Sequence, residues 1–121
     1  MSHRVLAVGN CSYDHGNLAG MLKKHFQATV DAADNTDIAR QLLRERSYHL
    51  VMVNRVFDSN SESGIEFIKQ LRQSSSEIPL MLISNFEEYQ KEAVAVGAVP
   101  GFGKSSIGKP EVVELVKKYL C

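Results

Sequence analysis

Long hydrophobic runs are missing from this chain. Among its 121 residues no stretch approaches the roughly 18 consecutive apolar residues of a membrane helix, so no spanning helix and no membrane partner is expected. The early run Val5 to Val8 is shorter than the apolar core of about 7 to 15 residues in a secretory leader, and a cytoplasmic protein is expected. Cysteine is scarce too. Cys11 and Cys121 stand near opposite ends, in a domain large enough to hold together without staples, and reduced thiols are the simpler reading. An excess of one charge is also lacking. Fourteen basic residues cancel fourteen acidic ones, so no global field draws the protein to nucleic acid or an anionic surface. The four histidines, His3, His15, His25 and His49, show neither the i, i+4 pairing nor the Cys/His clusters of a zinc site. Nothing in the composition calls for a metal or another cofactor.

What is present is an alternation, repeated five times, of short apolar runs with helical patterns. Val5 to Val8, Ala28 to Ala33, Leu50 to Val53, Pro79 to Ile83 and Val99 to Phe102 read as strands. Between the first two, Leu18, Met21, Leu22 and Phe26 share one helical face. Asn35 suits the cap of a second helix with Ile38, Leu42 and Leu43 on its buried side. Ser63 and Glu66 have the spacing of a capping box. Asn85 suits the cap of a fourth helix that Gly97 ends, and Pro110 stands at a first helical position ahead of Val112, Val116 and Leu120. This length encloses one hydrophobic core, so a single domain over residues 1–121 with no effector domain is expected.

Strands joined by helices of this length pair in parallel through right-handed crossovers, which makes a doubly wound α/β sheet with helices on both faces. The first, third and fourth runs are uniformly apolar, as strands buried on both faces must be. The second carries Thr29 and Asp31 and the fifth carries Pro100 and Gly101, features tolerated at sheet edges. The predicted order is 2-1-3-4-5, the flavodoxin-like arrangement, whose switch point gathers Gly9, Asn10, Asn54, Ser84 and Lys104 at the carboxyl rim.

Four segments carry a family resemblance: YHLVMVN from Tyr48, GIEFIKQLR from Gly64, PLMLIS ending at Ser84, and VGAVPGFGK closing on Lys104. In this order and spacing they resemble the receiver domain of two-component response regulators, over essentially the whole chain. The resemblance implies a magnesium ion held by an acidic pair after the first strand and an aspartate after the third. The aspartate accepts a phosphoryl group, which a hydroxyl residue after the fourth strand and a lysine after the fifth contact. In this sequence the acidic pair falls on Gly9 and Asn10 and the phosphoacceptor on Asn54, while Ser84 and Lys104 retain the other two roles. The three carboxylates are therefore replaced by neutral groups. Magnesium is held by carboxylate oxygens and an amide is a poor nucleophile, so the expectation is a pseudo-receiver without metal, phosphotransfer or enzymatic activity. By formal count the pocket carries Lys104 alone, about one positive charge. Reintroducing aspartate at positions 9, 10 and 54 is expected to restore metal binding.

The loop from Asn54 to Gly64 is two residues longer than the family's, and the position of the family's aromatic switch falls on Gly101. The resemblance places the outward face on the fourth helix, fifth strand and fifth helix, here with Phe86, Tyr89, Val99, Pro100 and Phe102. Tyr89 sits among Glu87, Glu88, Lys91 and Glu92 and is expected to be a solvated anchor whose removal spares stability. The partner implied is a protein of a signalling pathway, a histidine kinase or another regulator, or a second copy of the chain. Other readings compete. The rim can serve as a sensor of a small anion or ligand through Lys104, Ser84 and Asn54. Asp58 can act as a displaced phosphoacceptor, although a loop aspartate is more often a turn former. Asn54 can simply bond local backbone, Asp14 cap a helix, and Cys11 fill a buried space.

Overall fold

Each apolar run becomes a strand because a parallel strand between two helical layers has no solvated face to offer polar side chains. The structure, a computed structural model, describes residues 3–74 and 77–120; Cys121 lies outside them. In chain order it contains β1 (Arg4–Val8), α1 (Ser12–Phe26), β2 (Thr29–Ala33), α2 (Thr36–Glu45), β3 (Leu50–Asn54), α3 (Gly64–Gln73), β4 (Leu80–Ile83), α4 (Glu87–Ala95), β5 (Val99–Phe102), a 3-10 turn (Lys104–Ser106) and α5 (Pro110–Leu120). The five strands are parallel in the order β2-β1-β3-β4-β5. This is the flavodoxin-like sheet expected from the alternation.

Side chains alternate between two cores. Leu6, Val8, Val51, Val53, Leu80 and Leu82 point to the layer that holds Ala39, Phe67, Ile68, Leu71 and Ala93, which come from α2, α3 and α4. Val5, Leu50, Met52, Met81, Ile83 and Phe102 meet Leu18, Met21, Leu22, Val112, Val116 and Leu120 of α1 and α5. Phe102 is thus a core residue, and Val99 packs half-buried against the same cluster. Neither is a surface anchor, because a strand covered on one face by helices turns half its side chains inward.

The caps divide between expected and unexpected. Asn35 Oδ1 accepts from the Ile38 amide at 2.9 Å, Ser63 Oγ accepts from Glu66 at 3.2 Å, and α5 begins at Pro110. Asn85 does not cap α4. The N-cap is Phe86, and Asn85 Oδ1 accepts from Ser105 N at 3.2 Å and Ser105 Oγ at 3.0 Å, joining the loops that follow β4 and β5. Ile38, in the first turn of α2, is exposed, and Ala39 takes the fully buried position instead. At the β2 edge, Asp31 Oδ2 accepts from Arg4 at 3.0 Å, Arg46 at 3.0 Å and Tyr48 at 2.7 Å. Burial raises the Asp31 carboxyl, but these donors outweigh it and hold it below its usual range.

Candidate functional site at the carboxyl rim

Asn54 ends β3 and is 6% exposed. Its Nδ2 donates to the carbonyl of Gly9 at 3.1 Å and to that of Val56 at 2.7 Å. Both partners are acceptors, so the side chain must present its NH2 group to them. A carboxylate here has no proton to give and would face two carbonyl oxygens. The amide therefore binds local backbone, as the turn-former reading has it. It also reaches across 45 residues of sequence to tie the end of β1 to the end of β3.

Beside it, the longer loop after β3 folds back over the rim. Its ends meet at the Val56–Ser63 bridge, and Phe57 N donates to Glu62 O, Ser61 N to Phe57 O and Asp58 N to Gly9 O, each at 2.9 Å. Ser59 Oγ donates to Asp34 O at 2.6 Å, fastening the loop to the end of β2. The result drives the Phe57 ring inward. It is 1% exposed and meets Phe67 edge to face with centroids 6.2 Å apart. A Cβ on Gly9 would collide with this ring, and Gly9 has φ +78°, which disfavours any side chain.

The place of the family's first carboxylate is thus occupied by a phenylalanine. Asn10 Oδ1 and Nδ2 are buried and have no protein partner, and no group of three or more His, Cys, Asp or Glu side chains suited to a metal exists among the described residues. A ring over Gly9 and an amide that donates at position 54 do not fit a magnesium ion, which requires oxygen ligands. Geometry also argues against regaining metal through aspartates at 9, 10 and 54, since position 9 accepts no side chain. Asp58 is exposed and outside the cleft described next.

The other half of the rim is open. A cleft of about 230 Å³ is lined by Asn54, Arg55, Val56, Ile83, Ser84, Asn85, Phe86 and Lys104. The structure therefore brings Asn54, Ser84 and Lys104 together, while Gly9 and Asn10 stay out of this space. Ser84 is buried, and its Oγ accepts from Phe86 N at 3.2 Å at the start of α4.

Lys104 Nζ lies 2.7 Å from Asp14 Oδ2. Asp14 is not the cap of α1; the N-cap is Cys11 and it makes no capping bond. Its carboxylate instead accepts from Cys11 Sγ at 3.3 Å. Burial pushes the Asp14 carboxyl up, but the bonds from Lys104 and Cys11 outweigh this and leave it below its usual value. Cys11 is half-buried and hydrogen-bonded rather than apolar filler. Asp14 offsets Lys104, so the unpaired charge of the cleft is not that of the lysine.

It belongs to Arg55. The guanidinium carbon lies 4.4 Å from the centroid of the Tyr89 ring and 5.8 Å from that of Phe86, and Phe86 meets Tyr89 edge to face at 5.9 Å. Tyr89 is half-buried and packs against the core, contrary to the solvated position expected from its charged neighbours. Those neighbours are exposed on the other sides of α4, while the Tyr89 ring meets Arg55 and Phe86. Phe86, at 54% exposure, and Pro100 remain on the surface, joined by Val94 at 44%. At the family's aromatic switch position, Gly101 leaves room for the Gln90 amide. Gln90 Oε1 accepts from Gly101 N at 3.1 Å, and Nε2 donates to the carbonyls of Leu82 at 2.9 Å and Ser84 at 3.1 Å. A side chain on Gly101 would collide with the Leu82 carbonyl. A glutamine from α4 thus bonds the backbone of β4 and β5 beside the position where the family has its aromatic ring.

Sequence reasoning missed Phe57, Arg55, Asp14 as partner of Lys104, Gln90 and Val94. The two extra loop residues signalled that something had changed near Phe57, and the arginine beside Asn54 was legible as a cation at the rim. The Asp14–Lys104 pair spans 90 residues of sequence and left no local pattern.

A family model described as "Response regulator receiver domain" matches residues 14–117. No curated protein matches the chain in sequence. Among solved structures, NtrX from Brucella abortus superposes with a TM-score of 0.84 at 20% identity; the match covers 99% of this chain and 27% of that one. The signal receiver domain of a DNA binding response regulator protein (merR) from Colwellia psychrerythraea 34H gives 0.80 at 19% identity, with 96% of each chain covered. The chemotaxis response regulator CheY4 of Vibrio cholerae gives 0.77 at 20% identity, covering 99% of this chain and 100% of that one. At these identities the likeness speaks for the fold.

Proposed function

This chain belongs to the response regulator receiver domain family of two-component signalling, and from that premise we propose that it is a receiver that signals through protein contact without being phosphorylated. The observation that carries this reading is the Asn54 amide, which donates to Gly9 and Val56 where a phosphoacceptor carboxylate would stand. The Phe57 ring over Gly9 supports the loss of metal on the same side. The Gln90 bonds to Gly101, Leu82 and Ser84 support a fixed outward face in place of a rotamer switch.

Phe86 and Pro100, of the five residues first assigned to that face, are exposed, and Val94 joins them as an anchor in place of Tyr89, Val99 and Phe102. The partner is a histidine kinase or another regulator of the same pathway. The test is capture of partners by the immobilised protein, with and without prior treatment with acetyl phosphate and magnesium. The same partners are expected in both arms, with recovery reduced by Phe86→Ala. Partners recovered only after treatment would overturn the reading.

A further inference from the structure

We propose that the groove between α2 and α3 is a docking surface for an acidic, apolar segment of a partner protein: one apolar side chain rests on Leu43, Leu71 and Ile78, and a neighbouring carboxylate reaches Arg40 and Arg44. The groove has a volume of about 270 Å³ and is lined by these five residues and Ser74. Ile78 stands two residues before β4 begins, so the groove opens at the amino edge of the sheet. None of its lining comes from the carboxyl rim, α4 or β5. Leu43 and Ile78 are half-buried and pack against the core that α2, α3 and α4 cover, and Leu71 is buried beside them. What these three leave open is an apolar floor.

The charge beside that floor selects the occupant. Arg40 and Arg44 are one turn apart on α2 and share a face. The Arg40 guanidinium is held in place: Nη2 donates to Gln70 Oε1 at 2.6 Å, and its carbon lies 5.4 Å from the centroid of the Phe67 ring. Neither contact neutralises it. Among the described residues no carboxylate pairs with Arg40 or Arg44, since the ion pairs there involve Arg4, Arg46, Lys91 and Lys104. A guanidinium oriented in advance and short of an anion binds a carboxylate through charge-assisted, bidentate bonds at little ordering cost. Arg44, in the last turn of α2, also offsets the negative end of the helix dipole. That accounts for one cation, but neither for Arg40 at mid-helix nor for the apolar floor beside it. Ser74 Oγ gives its proton to the Leu71 carbonyl at 2.8 Å, so the side-chain donors left to an occupant are those of the arginines. The volume falls below the roughly 300 to 1,000 Å³ that houses drug-sized ligands and suits one anchoring side chain of a peptide. Two cations on a chain of zero net charge make no tract for nucleic acid.

The experiment is a selection of displayed random peptides on the immobilised intact chain, with the Arg44→Glu variant as the counter-selection target. Arg44 is exposed, so this variant is expected to keep the parent's melting temperature. Peptides enriched by the parent and lost on the variant are expected to carry Leu or Phe beside Asp or Glu. Added to the intact chain, they are expected to shift the methyl NMR signals of Leu43, Leu71 and Ile78 saturably. Binding by Arg40→Gln and by Arg44→Glu is expected to be at least about tenfold weaker, as is binding of the same peptides with their acidic residues changed to amides. No enrichment, peptides indifferent to Arg44 or lacking the acidic and apolar pair, or three unmoved methyl signals would overturn the proposal. A phosphoserine version that binds more than about tenfold tighter would also overturn it, by assigning the groove to phosphorylated partners. Each of these outcomes leaves the phosphorylation-independent reading of the rim standing.

Discussion

On the β1 side of the rim, where β1 meets β3, Phe57 and the Asn54 amide pack the surface shut; on the β4–β5 side, Ser84, Lys104 and Arg55 border open space. Both regions lie at the carboxyl edge of one sheet, and in the family they serve one reaction. Their difference here teaches that the metal-holding and phosphoryl-contacting halves are physically separable. In the proposed reading the first depends on carboxylates at positions 9 and 10, and here the longer loop sets the Phe57 ring over Gly9. The second depends on the ends of β4 and β5, which only the first loop residues, Arg55 and Val56, border.

The sharpest way to break the closed half is Phe57→Ala. Removing a ring that is 1% exposed and set edge to face against Phe67 is expected to cost about 3 to 5 kcal/mol, read by chemical denaturation. A loss under about 1 kcal/mol would mean that the loop lies over the rim without packing into it. Next is Asn54→Asp. Two bonds are lost, one of them buried, and a carboxylate is turned toward two carbonyls, so a destabilisation of about 1 to 3 kcal/mol is expected near neutral pH, shrinking as acid protonates the new group. An unchanged or raised melting temperature would show that the amide is not what joins the two strand ends.

The open half is sharpened by Tyr89→Ala, which removes half-buried packing together with the Arg55 contact. A loss of about 1 to 2 kcal/mol is expected. A neutral substitution would return Tyr89 to the solvated surface. The smallest effect expected is in the acid limb of stability. The folded Asp14 carboxyl is depressed by Lys104 and Cys11, so its contribution is present above the unfolded value of about 3.9 and is lost as pH falls through the lower folded value. Asp31 titrates in the same direction, so the comparison is between the parent and Asp14→Asn, in which this part of the acid dependence should flatten. A steeper limb in the variant would contradict the sign of the shift.

The strands, their order and the helix starts at Asn35, Ser63 and Pro110 were legible because each follows from local pattern: apolar runs, alternation and cap spacing. The meeting of Asn54, Ser84 and Lys104 was legible too, since a doubly wound sheet brings its strand ends to one edge. What the pattern left hidden depends on contacts distant in sequence. Tyr89 looked solvated beside Glu88 and Glu92, but one side of α4 is chosen by the sheet beneath it. Phe102 read as a surface ring until strand parity turned it toward α1 and α5. Asp14 was read as a cap because its partner arrives 90 residues later.

The central claim, that this receiver cannot take a phosphoryl group at its rim, is tested most directly by intact-mass spectrometry after incubation with acetyl phosphate and magnesium. The account predicts a single species at the unmodified mass of each protein, in the parent and in Asp58→Asn alike. A phosphoryl adduct would contradict it, and loss of that adduct in Asp58→Asn or Asp14→Asn would locate the acceptor.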